Sequence, residues 1–159
     1  MRLTLLAATL ALATMPVQVH VSPGNTGGAN LKRLVEASAE RARAHLPRQG
    51  QLRIDVRPNP DGAIPEAGVG AYTDRRGNIH VSWDPTRVDV RENLLAWIPL
   101  IVAHELNHSS RIRAHASGNT LGDVIVSEGM ADRFAHQVYP HRQQSPWDHA
   151  LTKAQERAY

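Results

Sequence analysis

His104 and His108 stand four residues apart inside a long apolar-periodic stretch, roughly Val90 to His115, that reads as a helix. Four helical residues turn through about 400°, so both imidazoles project from one face, about one turn apart. Side chains so placed can share one Zn²⁺ at ~2.0–2.1 Å from each ring nitrogen. Glu105 follows His104 directly, completing His104-Glu105-Leu106-Asn107-His108, an H-E-x-x-H sequence. It sits beside the pair, where it can take a proton from water at the metal instead of binding the metal itself. Pro99 interrupts the same stretch and is expected to kink or restart the helix, because it removes one backbone donor.

The rest of the composition narrows the ligand chemistry. The 159 residues contain no cysteine. Disulfide scaffolds, thiolate zinc fingers, iron–sulfur clusters and cysteine nucleophiles are thereby excluded. A metal must be held by nitrogen and oxygen, for which nine histidines and fifteen carboxylates are present. With 42% hydrophobic and 21% charged residues, the chain fits one compact domain and neither a disordered tail nor a coiled coil. The formal charge of +3 is spread over scattered arginines, without the basic block or aromatic platform of a nucleic-acid binder.

Along the chain, Arg2, the apolar run Leu3 to Leu12 and Ala11-Leu12-Ala13 make residues 1–15 resemble a secretion leader. The run is shorter than the ~20 apolar residues of a membrane span, so no stable span is expected. Export to a periplasmic or extracellular space follows, against the alternative of a cytoplasmic protein whose first segment is part of the fold. Val17, Val19 and Val21 alternate as a strand, and Asn30 to Leu46 has helical spacing ended by Pro47. Leu52, Ile54 and Val56 form a second strand, and two short strands follow at about Gly68–Thr73 and Asn78–Trp83, joined by the hairpin loop Asp74-Arg-Arg-Gly-Asn. After the long helix comes another, Leu121 to Tyr139. The order is strand, helix, three strands, two helices, an α+β domain over 16–159.

A catalytic zinc site requires three protein ligands and an open position. With nine histidines the H-E-x-x-H pattern can also arise by chance, so downstream residues carry weight. Glu128 lies twenty residues past His108 on the second helix, far enough for a loop and a return helix. Asp132, four residues on, shares its face and can accept the free ring N–H of a ligating histidine. Both acids are expected on an apolar helix side with Val124, Ile125, Met130 and Phe134, where burial without a partner would be costly; the alternative is a plain solvated face. His115 falls ~10 Å along the helix axis from His108, out of ligand reach. Asp123 reads as a first-turn helix residue. Arg111 and Ala114 occupy the positions where a metzincin needs glycine and histidine.

His104 to His108, Arg111 and the run Thr120-Leu-Gly-Asp-Val-Ile-Val-Ser-Glu-Gly-Met-Ala-Asp-Arg-Phe-Ala135 together resemble the predicted zinc-dependent proteases of the gluzincin type. More narrowly they are similar to a bacterial family catalogued mainly as a domain of unknown function, as are Ile64 to Tyr72 and Ser145 to Leu151. The resemblance implies a zincin-like fold: a small mixed sheet, an active-site helix and a second helix bearing the third ligand. It implies one zinc per chain held by His104, His108 and Glu128, Glu105 as catalytic acid/base, and Asp132 orienting a histidine. The resembled domain usually continues with further helices, so a C-terminally shortened domain is expected.

The implied reaction is hydrolysis of a peptide or protein substrate by metal-activated water. Arg111, three residues past His108, is the first candidate for an oxyanion donor or substrate clamp, with ordinary pairing to a surface acid or to Glu128 as the alternative. His136, Tyr139 and Tyr72 are further options. The Asn78–Trp83 strand, with polar alternates, is expected to be either a sheet edge that takes up substrate by strand pairing or an ordinary strand. A catalytically inactive zinc-binding domain that acts through a protein partner is the competing function, and metal buffering by His136, His141 and His149 a third.

Overall fold

A computed structural model describes residues 16–23, 28–47, 50–114, 118–142 and 152–156. The expected leader, His115, and the Ser145–Leu151 run lie outside the described residues. The elements are β1 (Val17–Val21), α1 (Gly28–Arg43), β2 (Leu52–Pro58), β3 (Val69–Thr73), β4 (Ile79–Trp83), α2 (Val90–Arg113), α3 (Leu121–Val138) and the one-turn α4 (Lys153–Glu156). The architecture is α+β, a small mixed sheet with three main helices. No helix among the described residues is long and apolar enough to cross a membrane.

The sheet runs β1-β2-β4-β3. β1, β2 and β4 are parallel and β3 returns antiparallel to β4. Alternation decides its two faces. Leu52, Ile54 and Val56 of β2 and Ile79, Val81 and Trp83 of β4 are buried in the core, whereas Arg53, Arg57 and Tyr72 are exposed. α1 covers this face with Leu31, Val35, Ala39 and Ala42, spaced for one helical stripe, and α2 with Leu94, Ile98, Val102 and Leu106. The expectation that Asn78–Trp83 could be an edge is overturned: β4 is flanked on both sides, and β3 is the edge strand beside α2.

The hairpin is pinned to α2 where Gly77, at φ 76°, turns in the left-handed region that favours glycine. Its carbonyl accepts from Ser109 Oγ at 2.7 Å and Arg113 Nη2 at 3.1 Å. A Cβ there would stand 2.6 Å from Arg113 Nε. β3 therefore runs alongside α2 in the same direction.

Pro99 neither breaks nor restarts α2, which is continuous from Val90 to Arg113. Proline leaves the carbonyl four residues earlier, that of Leu95, without its helical donor. Arg142 Nη1 supplies one from outside the helix, at 2.8 Å, and also donates to the Ala96 carbonyl at 3.1 Å.

Candidate metal centre

α2 presents His104 and His108 toward α3, with ring centroids 4.7 Å apart and planes at 70°. Their Nε2 atoms are 3.0 Å apart. α3 begins at an N-cap, Thr120, whose hydroxyl accepts from the Asp123 N–H while Asp123 Oδ2 takes the Thr120 N–H, a reciprocal capping box. Asp123 is thus a first-turn residue, as its position suggested. Two turns on, Glu128 meets both imidazoles: Oε2 is 3.1 Å from His104 Nε2 and Oε1 is 3.3 Å from His108 Nε2.

Hydrogen bonds around the pair fix the lone pairs. Asp132 Oδ1 lies 2.8 Å from His104 Nδ1, so the carboxylate holds the proton on Nδ1 and leaves Nε2 as an acceptor aimed at His108 and Glu128. Ser127 Oγ is 3.2 Å from His108 Nδ1 and engages the outer nitrogen of the second ring. Two imidazole nitrogens and a carboxylate oxygen, all within 4.8 Å of one another, form a cluster spaced to share one cation. The two ring nitrogens are 3.0 Å apart and each meets a different oxygen of Glu128, at 3.1 and 3.3 Å, so the carboxylate straddles the pair. All-nitrogen and oxygen donors with one carboxylate fit zinc.

Glu105 lies beside the pair, between the two rings' cavities and the β3 edge, and is buried. Thr73 Oγ1 lies 2.7 Å from its Oε2. Burial raises the Glu105 pKa, against the Thr73 hydrogen bond and the nearby His104 and His108; Glu128 adds to the rise. For His104, burial works against the charged form, but the Asp132 hydrogen bond and the charges of Glu105, Asp132 and Glu128 outweigh it and the pKa is raised. The carboxyl is therefore displaced toward the range useful to a base near neutrality.

Other expectations fare differently. Val124, Ile125 and Met130 are exposed, and only Phe134 of that set is buried. α3 docks through its C-terminal half (Ala131, Phe134, Ala135, Val138), while its first turns project over the histidines. Glu128 is accordingly 53% exposed, and its position owes nothing to an apolar burial penalty. Tyr139 is away from the centre: its hydroxyl donates to the Ser38 carbonyl at 3.3 Å and Arg41 lies over its ring. Tyr72 stacks on His80, on the sheet face opposite α2, and the residue borders a cleft. Arg111 borders that cleft with His108 and Glu128, its Nη1 3.1 Å from Met130 Sδ. His136 lines a second cavity, on the other side of His104. Thr73 and Ser127 were not singled out from sequence; a lone hydroxyl residue carries no spacing signal, and only the fold brings each to its partner.

β3 completes the site. Gly68 pairs with Asp84 and Asp74 with Asn78 through narrow hydrogen-bonded positions, so by alternation Gly70 and Tyr72 also face β4. Val69, Ala71 and Thr73 direct their main-chain groups outward. The Val69 carbonyl is taken by the Ile64 N–H, which leaves Ala71 and Thr73 as the open stretch of edge beside Glu105.

Comparison with known proteins agrees with this chemistry. A family model described as "Predicted Zn-dependent protease (DUF2268)" matches residues 32–159. The chain is 35% identical over 74 residues to the "Uncharacterized protein YjfC" of Bacillus subtilis (strain 168). That match covers 45% of this chain and 23% of the relative, so less than a quarter of the longer protein is represented. No solved structure matches.

Proposed function

The chain belongs to this family of predicted zinc-dependent proteases, and from that premise we propose that it is a zincin-like, gluzincin-type metallopeptidase. His104, His108 and Glu128 hold one zinc ion, Asp132 orients His104, and Glu105 is the acid/base. The observation that carries the proposal is the convergence of three donor atoms from two helices within 4.8 Å, with the outer nitrogen of each ring already engaged.

Zinc in such a site supplies a Lewis acid and brings the pKa of a bound water from 15.7 toward ~7. Glu105 takes a proton from the attacking water and passes it to the leaving nitrogen. Its burial and its hydrogen bond to Thr73 keep the carboxyl in one orientation for both transfers. The substrate backbone pairs with Ala71 and Thr73 on the open edge of β3, which sets the scissile bond beside Glu105. Arg111 and His136 flank the centre from opposite sides, and either is placed to donate to the substrate carbonyl or carboxylate. Residues 1–15 act as an export leader in this proposal, tested by the N-terminal mass of the mature protein.

Zinc content of the purified protein, with His104, His108 and Glu128 each changed to alanine, tests the ligand set. One zinc per wild-type chain, lost in each variant, is expected. Glu105→Gln should keep the metal and lose hydrolysis of a mixed peptide library. Wild-type turnover no higher than that of Glu105→Gln would instead favour a zinc-binding domain acting by contact.

A further inference from the structure

Past residue 15 the chain holds a single sulfur atom. There is no cysteine, and of the three methionines Met1 and Met15 lie ahead of β1, which leaves Met130. It stands on α3, two residues past Glu128, with 45% of its surface exposed. Its Sδ lies 3.1 Å from Arg111 Nη1. Arg111 in turn lines the cleft shared by Glu105, His108 and Glu128. One solvent-open thioether therefore touches the arginine that borders the metal centre.

The fold does not lean on that thioether. α3 docks through Ala131, Phe134, Ala135 and Val138, and Met130 is not among them. A rise in polarity at Sδ thus forfeits little buried apolar surface and leaves the helix in place. What it alters is the partner of Arg111. A thioether sulfur is a weak acceptor. A sulfoxide is polar, and its oxygen takes a charge-assisted hydrogen bond from a guanidinium far better.

We infer that Met130 is an oxidation site through which hydroperoxides slow this enzyme, its sulfoxide holding Arg111 back from the substrate. The slowing rests on the peptidase proposal above; the oxidation and the new bond to Arg111 do not. In the step, a sulfur lone pair attacks one oxygen of hydrogen peroxide. The S–O bond forms as the O–O bond breaks, and after a proton shift water leaves. Sulfur is oxidised by two electrons and the peroxide is reduced by two. The chain has no thiol to consume the oxidant first. Once formed, the sulfoxide oxygen sits on the sulfur that Arg111 already touches, and a substrate oxygen must compete with it for the guanidinium. Enzymatic reduction of the sulfoxide returns the weak acceptor and releases the arginine.

Two measurements on the full chain test this. In the first, zinc-loaded protein is treated with dilute hydrogen peroxide and mapped by peptide mass spectrometry. Residue 130 should gain one oxygen while kcat falls about tenfold, the ratio expected when a bond to a charged group must break before Arg111 can serve. Methionine sulfoxide reductase should reverse both changes. Met130→Leu should keep its own rate after the same treatment; it still carries Met1 and Met15 and so controls for them. The second needs no turnover. In Glu105→Gln protein the Arg111 Nε–Hε resonance should move on oxidation and return on reduction, and it should stay fixed when Met130→Leu is added. A moved resonance in a protein whose wild type cleaves nothing supports the Arg111 contact while removing the peptidase. Complete oxidation of Met130 with an unmoved Arg111 resonance overturns the inference, as does an equal loss of rate in Met130→Leu.

Discussion

The Thr73 hydroxyl lies 2.7 Å from Glu105 Oε2 and 2.9 Å from the carbonyl oxygen of the same residue. One hydroxyl proton thus faces two acceptors. It stabilises the carboxylate when given to Oε2, and when Glu105 is protonated it can turn to the backbone while the threonine oxygen accepts. Thr73→Val removes this bond at constant shape. Because the bond favours the charged form, its loss should raise the Glu105 pKa further, and the acid limb of the pH–rate profile should move to higher pH. Thr73→Ser should restore the wild-type limb. An acid limb unmoved in the valine variant would show that Thr73 serves only the strand–helix contact.

Asp132 touches His104 Nδ1 at 2.8 Å while standing four residues from Glu128 on the same helix face. Asp132→Ala should leave the ligand set complete but free the ring to rotate and to carry its proton on either nitrogen. Loss of such a partner typically costs 10–100-fold in metal affinity, and zinc competition against a chromophoric chelator should report a weakening of about that size. Affinity equal to wild type would mean that α3 packing alone orients the ring.

The centre was legible in the sequence because its spacing is local: four residues on one helix, and four more on the next, bring side chains onto one face whatever the rest of the chain does. The strands and helices were legible for the same reason. Strand order was not. Nothing within Asn78–Trp83 tells that β2 will take one side of β4 and β3 the other, since pairing partners are chosen by contacts distant in sequence. Nor does an apolar list such as Val124, Ile125, Met130 and Phe134 say which turns of α3 dock; only the C-terminal half meets the core, and the exposed half carries Glu128.

Arg111 and His136 lie on opposite sides of the histidine pair, which makes their roles separable. Loss of a donor to the developing oxyanion costs about 10²–10³ in kcat, with little change in KM. Loss of a carboxylate or carbonyl clamp raises KM instead. Arg111→Ala is expected to lower kcat and His136→Ala to change KM, given that His136 lines the cavity beside His104. The reverse split between the two variants would exchange the roles.

Pro99 and Arg142 form a compensating pair: the ring removes a helix donor and the guanidinium replaces it at the Leu95 carbonyl. Arg142→Ala should destabilise the fold by about 1 kcal/mol, the usual net worth of one hydrogen bond at a partly exposed position. In a Pro99→Ala background the helix supplies its own N–H, and the same arginine substitution should cost markedly less. Urea unfolding of the four proteins gives the coupling directly, and strict additivity would show that Arg142 acts elsewhere.

Asp74 closes the β3–β4 hairpin, so its protonation links strand-edge integrity to pH. Burial pushes its pKa up, but the Asn78 N–H and side-chain amide, His80 and the Arg76 N–H all donate to it, and together they hold it at about 2. A carboxylate depressed below its ordinary 3.8 contributes stability that is complete above that value and lost as pH falls through about 2. Asp74→Asn should therefore be less stable than wild type at pH 6, by about 1–2 kcal/mol for the lost charge-assisted bonds. The gap between the two proteins should narrow as pH falls below 4 and close near pH 2, as followed by urea unfolding at fixed ionic strength. A gap independent of pH across that window would assign the difference to packing of the asparagine and remove the carboxylate charge from the account of the turn.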